Sequence, residues 1–229
     1  MKYCSFLFLF LNTLYFFSQS CVVSITALST NINCQDDSVQ LIASGNTPPP
    51  VVVFSDNFDG GIQSAPWTVF TNSDFSNPCQ SSINGTPYCW TSNNLGTNPS
   101  RIYETPALDV QVGGEICLDF VMGDGIGGLV CDLPETSDDS ISLQYLDASL
   151  VWQNILVFNP VTANYNTWAQ FCVPIPVNAQ TSSTKFRLYQ HNVNTAVGYG
   201  LDTWGFDNFE ISANVPVWYD WAHIPGTVG

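Results

Sequence analysis

The chain has 229 residues, 45% of them hydrophobic and 14% aromatic, and 19 acidic against four basic side chains give it a net charge of −15. That much apolar and aromatic material argues for a packed core rather than an acidic disordered chain. The acidity excludes nucleic acid and anionic membrane as partners, because both are repelled by such a surface.

Residues 1–20 carry one basic side chain, Lys2, then an apolar run from Phe6 to Phe17 broken only by Asn12 and Thr13, then Ser-Gln-Ser. This order predicts a secretory signal peptide. The run is shorter than the roughly 20 residues that span a bilayer as a helix, and no later run is longer, so no transmembrane segment is expected. Lipidation of Cys21 is disfavoured, since Ser18 stands where a lipobox has leucine. Without the signal, Arg101, Lys185 and Arg187 face 19 acids, a net charge of −16. Seven cysteines also remain, an odd number that predicts up to three disulfides and one leftover thiol in an oxidising, extracellular compartment. No C-x-x-C occurs, which leaves zinc and thioredoxin-like chemistry without support.

After the signal the chain reads CVVSITALSTNINCQDDSVQLIASG, two alternating stretches around a polar turn, the pattern of a hairpin that Cys21 and Cys34 would close. CQDDSVQL resembles the opening strands of immunoglobulin-like repeats in Bacteroidetes surface proteins. With the stiff linker Thr47-Pro48-Pro49-Pro50, this short β segment occupies residues 21–50. From Val51 the stretches VVVFSDNF, PWTVF, EICLDFVM, SISLQYL, VWQNILV, WAQFCV, TKFRLYQ and TWGFDNFEI are short, β-branched and aromatic, with Gly, Pro, Asn and Asp between them. Ile116, Leu118, Phe120 and Met122 fall on one face of their strand, opposite Cys117, Asp119 and Val121, and Phe186 and Leu188 oppose Lys185 and Arg187. No helical period competes. The expected fold is all-β, a two-sheet antiparallel jelly-roll sandwich over residues 51–213, with residues 214–229 opening a further module.

Three catalytic or nucleotide motifs fail on context. Gly123 to Gly128 spells G-x-G-x-x-G after a strand, but Leu-Val-Cys-Asp-Leu-Pro follows where a dinucleotide site needs a helix N-terminus. The histidines His191 and His223 lie near no nucleophile elbow. Glu104, Glu115, Glu135 and Glu210 sit at strand ends or in loops, without the alternation that sets two carboxylates across a glycosidic bond. The chain therefore reads as a binding module and not as an enzyme.

Carboxylates mark both ends of the sandwich. The first strand runs into Asp56-Asn57-Phe58-Asp59-Gly60-Gly61, and the last contains Asp207 within Trp-Gly-Phe-Asp-Asn-Phe. First and last strands commonly pair in a jelly roll, which would bring Asp59 and Asp207 together, and an unpaired carboxylate inside an aromatic strand is costly. Calcium, which takes several oxygen ligands, would relieve that cost. The order FSDNFDGG, CW, RIYETPALDV, ICLDFVMGDG, CDLPETSDDSISLQY, VWQNI, FRLYQH and DTWGFDNFEI resembles the jelly-roll subdomain of reelin repeats and, more loosely, MAM domains. The resemblance implies a structural calcium near the terminal strands, with Asp59 and Asp207 as ligand candidates and Asp56 and Asn57 beside them. It also implies binding of an extracellular protein or cell-surface partner, as in adhesion.

Among the cysteines, Cys117 and Cys172 lie in strands that can be neighbours, Cys79 and Cys89 bracket one loop, and Cys131 competes for either pair. Trp90, in an Asn-rich and Cys-flanked loop, is the candidate for stacking a sugar in a carbohydrate-binding alternative, against the commoner use of tryptophan in packing.

Overall fold

The structure, a computed structural model, describes the backbone of residues 23–27 and 41–45 and all atoms of residues 48–77, 79–91, 101–126, 131–190 and 202–216. The expected signal peptide, a Cys21–Cys34 bridge, both histidines and most of the 214–229 tail lie outside the described residues. The described strands fall into two compact units, one holding β1 and β2 and the other bounded by Pro48 and Val217. In the first, β1 (Val23–Ala27) pairs antiparallel with β2 (Leu41–Gly45).

The second unit is two antiparallel sheets. One has five strands in the order β10 (Trp152–Phe158), β9 (Ile141–Leu146), β12 (Phe186–Gln190), β7 (Arg101–Glu104) and β4 (Val69–Phe70). The other runs β11 (Ala169–Pro174), β8 (Gly114–Met122), β13 (Trp204–Ala213), β6 (Tyr88–Thr91) and β5 (Ser73–Ser76), and β3 (Val51–Asp56) joins β13 as its sixth strand. The first and last strands of the unit are thus hydrogen-bonded neighbours. No described helix is long and apolar enough to cross a membrane.

Period-2 alternation explains the layering. Ile116, Leu118, Phe120 and Met122 meet Tyr103, Ile141, Leu143, Phe186 and Leu188 in one core, the burial that supplies most of a sandwich's stability. Aromatic rings tie the layers, with Tyr103 set 5.1 Å from Phe206 and Phe120 stacked 3.9 Å from Phe158. One cation lies inside: Arg101 is fully buried and donates through Nη1 to Gln190 Oε1 at 2.8 Å and to the Asp202 carbonyl. Its pKa drops to about 10 because burial disfavours the charge.

The same alternation corrects two expectations. In β6, Cys89 points into the main core, whereas Tyr88 and Trp90 point to the outer face and pack with Val121, Trp168 and Cys79. Cys79 and Cys89 therefore lie on opposite faces, and Cys79 is bonded to Cys131 instead, leaving Cys89 a buried thiol. Trp90, only 2% exposed and 5.7 Å from Tyr88, belongs to this second cluster and presents no ring face for a sugar. Cys117 and Cys172 stand directly opposite in the β8–β11 ladder and are bonded.

Candidate functional site

β13 changes neighbours halfway along. Gly205 and Phe206 pair with Trp90 and Cys89 of β6, whereas Phe209 to Ala213 pair with β3, beginning at Asp56. Asp207 and Asn208 occupy the gap. On the other edge of β13, Asp207 pairs with Asp119 and Glu210 with Cys117, so Asn208 and Phe209 together oppose Leu118 alone. This is a β-bulge, and Asn208 carries it at φ 47°, a left-handed conformation that asparagine tolerates better than most residues. The extra residue lets Phe206 and Phe209, three apart, both enter the core, and it leaves Asp207 on the outer face beside Asp119.

Both carboxylates are buried, Asp207 at 1% and Asp119 at 4% exposure. The Asn208 backbone N–H donates to Asp207 Oδ1 at 2.8 Å, and Asn208 Nδ2 donates to Asp119 Oδ2 at 2.8 Å. The second oxygen of each, Asp207 Oδ2 and Asp119 Oδ1, has no hydrogen-bond partner among the described residues. Burial pushes the Asp207 carboxyl up to about 7, the Asn208 N–H opposes the rise, and the charges of Asp59, Asp119 and Asp56 add to it. An acceptor buried without a donor costs about 1–3 kcal/mol, more when charged.

The neighbouring acids differ in what they do. Asp56, 2% exposed, accepts from Ser64 Oγ at 2.6 Å, Ala65 N at 3.0 Å and Trp67 Nε1 at 2.8 Å, so its oxygens anchor the 57–67 loop. Asn57 and Asp59 are exposed, and Asn57 Nδ2 donates to Asp59 Oδ2 at 2.6 Å. Phe58 between them, at φ 51°, is buried against Phe70, Phe75 and Phe206, which holds the turn to the sheet. A cavity of ≈ 340 Å³ opens here, lined by Ser55, Asp56, Asn57, Ser64, Asn208, Phe209 and Glu210.

Sequence reasoning named Asp207 and missed Asp119 and Asn208. The signal for Asp119 was a carboxylate in the middle of EICLDFVM, and that for the bulge was the three-residue spacing of Phe206 and Phe209. Among the described residues, the sets of three ligating atoms within 4.8 Å of one another are Cys79–Asp124–Cys131 and Glu115–Cys117–Cys172. Each commits two sulfurs to a disulfide, so neither is a metal centre as it stands. The carboxylates at the bulge are more widely spaced.

The sequence model of Reelin subrepeat B matches residues 73–212, more than half of the chain and all of the strands from β5 to β13 apart from Ala213. The chain belongs to the Reelin subrepeat B family. Within the subrepeat the match takes in Asp119, Asp207 and Asn208 and leaves out Asp56, Asn57 and Asp59. No curated protein matches it in sequence. Among solved structures the subrepeat is similar to the CBM22-1 xylan-binding domain of Paenibacillus barcinonensis Xyn10C, with 13% identity over 74% of this chain and 97% of that one and a TM-score of 0.47. It is also similar to the K2 cleaved adhesin domain of Lys-gingipain, with 12% identity, 69% and 98% coverage and a TM-score of 0.38. A third is the mannan-recognising module TmCBM27, with 10% identity, 73% and 100% coverage and a TM-score of 0.37.

Proposed function

We propose that this chain is a non-catalytic extracellular binding module, used in adhesion or surface display, whose sandwich is locked by a structural calcium where β13 passes from β6 to β3. The observation that carries the reading is the pair of buried carboxylate oxygens, Asp207 Oδ2 and Asp119 Oδ1, that no donor among the described residues satisfies. Calcium takes six to eight oxygens from carboxylates, carbonyls and water. Asp207 and Asp119 would hold it, Asp59 would close the site from the 57–60 turn, and Asn208 would orient both buried carboxylates. The ion supplies the positive charge that these acids lack, and would fix β3 against β13. Two disulfides fit an oxidising compartment.

Thermal unfolding of the full-length chain under oxidising conditions, in millimolar calcium and then in chelator, tests the reading. A gain of several degrees with calcium supports it, and an unchanged midpoint rejects the site. A second reading, carbohydrate binding, is favoured by the outer face of the five-stranded sheet.

A further inference from the structure

The five-stranded sheet aligns one residue from each strand into a single row on its outer face. Asn154 pairs with Gln144, Gln144 with Arg187, Arg187 with Glu104, and Glu104 with Val69. The next row holds Ser142, Tyr189 and Ile102, and Trp152 lies on the other side opposite Leu146. At strand spacings of about 4.8 Å, the polar part of the row is roughly 14 Å wide. Its side chains are partly exposed, while the alternate residues Leu143, Phe186, Leu188 and Tyr103 are buried in the core.

The hydrogen bonds along the row run in one direction. Arg187 Nε donates to Gln144 Oε1 at 2.7 Å and Gln144 Nε2 donates to Asn154 Oδ1 at 2.8 Å. Glu104 is occupied by Lys185, whose Nζ lies 2.8 Å from Oε1. Gln144 Oε1, Asn154 Oδ1 and Glu104 Oε1 thus each accept from a neighbouring side chain. The Arg187 Nη groups and Asn154 Nδ2, by contrast, find no acceptor among the described residues. The Arg187 guanidinium also lies over the Trp152 ring at 4.0 Å and the Tyr189 ring at 4.2 Å, which fixes the fork and both ring planes before any ligand arrives.

We propose that this face, built around Trp152, Arg187, Gln144 and Asn154, binds a saccharide chain. Partly exposed aromatic surface next to donors without an acceptor matches a pyranose, which offers an apolar C–H face and vicinal oxygen acceptors. A peptide adding to a sheet would use an edge strand rather than a face, and a nucleic acid is repelled by the net charge of −15. The inference deepens the reading of the chain as a binding module and is independent of calcium.

The test is isothermal calorimetry of the full-length chain against β-1,4-linked hexasaccharides of xylose, glucose and mannose and against oligogalacturonate. At least one is expected to bind with a Kd of about 1 mM or tighter, the range of weak glycan contacts. Trp152→Ala, Arg187→Lys and Asn154→Ala should each weaken it roughly tenfold, Arg187→Lys because an ammonium keeps the charge but loses the fork. Asn154 is exposed on an edge strand, so its variant keeps the test valid if Trp152→Ala fails to fold. A preference for oligogalacturonate would assign a carboxylate to Arg187; equal loss across neutral sugars would assign hydroxyls. Absence of binding by all four probes to folded protein, or undiminished binding by the three variants, overturns the proposal. Repeating the titration in chelator separates this result from the calcium reading, which is judged by the unfolding midpoint alone.

Discussion

Replacing Asp207 by asparagine removes one buried charge and keeps the shape of the side chain. In the folded protein this carboxyl titrates at about 7, against about 3.9 in an unfolded chain. Between those values the folded state holds a proton that the unfolded state has released. The contribution of Asp207 to the stability of the calcium-free protein is therefore fully present below pH ~4 and is lost as pH rises towards ~7, by up to about 4 kcal/mol at 1.36 kcal/mol per unit. Asp202, also raised to about 7 by burial and by Asp139 and Asp132, slopes the same way and persists in the variant. Asp207→Asn should thus lessen the loss without abolishing it, and its calcium-free midpoint near neutral pH should exceed that of wild type. Calcium at about 100 times its Kd would add about 2.7 kcal/mol to wild type, or about 5–11 °C for a domain of this size. Near pH 5, proton competition about two units below the Asp207 midpoint weakens calcium about 100-fold, leaving about 0.4 kcal/mol and about 1 °C. In Asp207→Asn, which keeps an amide oxygen but loses the charge, the calcium increment at pH 7.5 should be clearly smaller than in wild type. Differential scanning fluorimetry over a pH and calcium grid reads all of this, and an increment that is equal at pH 5 and 7.5 in wild type, or that is undiminished in the variant, refutes the reasoning.

Three further outcomes follow from the fold. Cys117→Ser with Cys172→Ser opens a bridge with a sequence separation of 55, and chemical denaturation should show a loss of about 4 kcal/mol by the loop-entropy relation. Asp56→Ala strands Trp67 Nε1 and the Ala65 N–H without their acceptor, which should cost about 3–5 kcal/mol and increase proteolysis within the 57–67 loop. Gly205→Ala places a Cβ 2.7 Å from Trp90 Cε3 and 2.9 Å from Tyr88 Cε2, so the variant should lose about 1–3 kcal/mol through overpacking, with altered near-UV circular dichroism from the displaced tryptophan.

Strand alternation was legible in the sequence wherever one face meets the core, as in EICLDFVM and TKFRLYQ, because burial there repeats every second residue. The Cys117–Cys172 bridge was legible for the same reason, since both residues lie on outward positions of strands that become neighbours. Trp90 was not, because its cover comes from Trp168 and from the Cys79 loop, which no local pattern brings to β6. The Cys79–Cys131 pairing stood only as an open alternative for the same cause. At the acidic site, composition pointed to Asp207, but Asp119 joins it only through the β8–β13 register. Asp56 is an anchor and not an open ligand because its donors come from the loop that follows it. The row proposed to bind a saccharide draws on strands β10, β9, β12 and β7, whose spatial order differs from their chain order, so no contiguous motif announces it.

The pairing of β3 with β13 has a mechanical meaning. Val51 lies opposite Ala213 and Asp56 opposite Phe209, so the chain enters and leaves this unit side by side. Tension applied through the two ends would peel the strands apart, breaking ladder bonds one after another from Val51 inward, rather than shearing them all at once. Such an opening runs like a zip for five or six residues and arrives at the carboxylates of the bulge. A cation held there would act as the stop of the zip, setting the force at which an otherwise easily opened edge begins to yield.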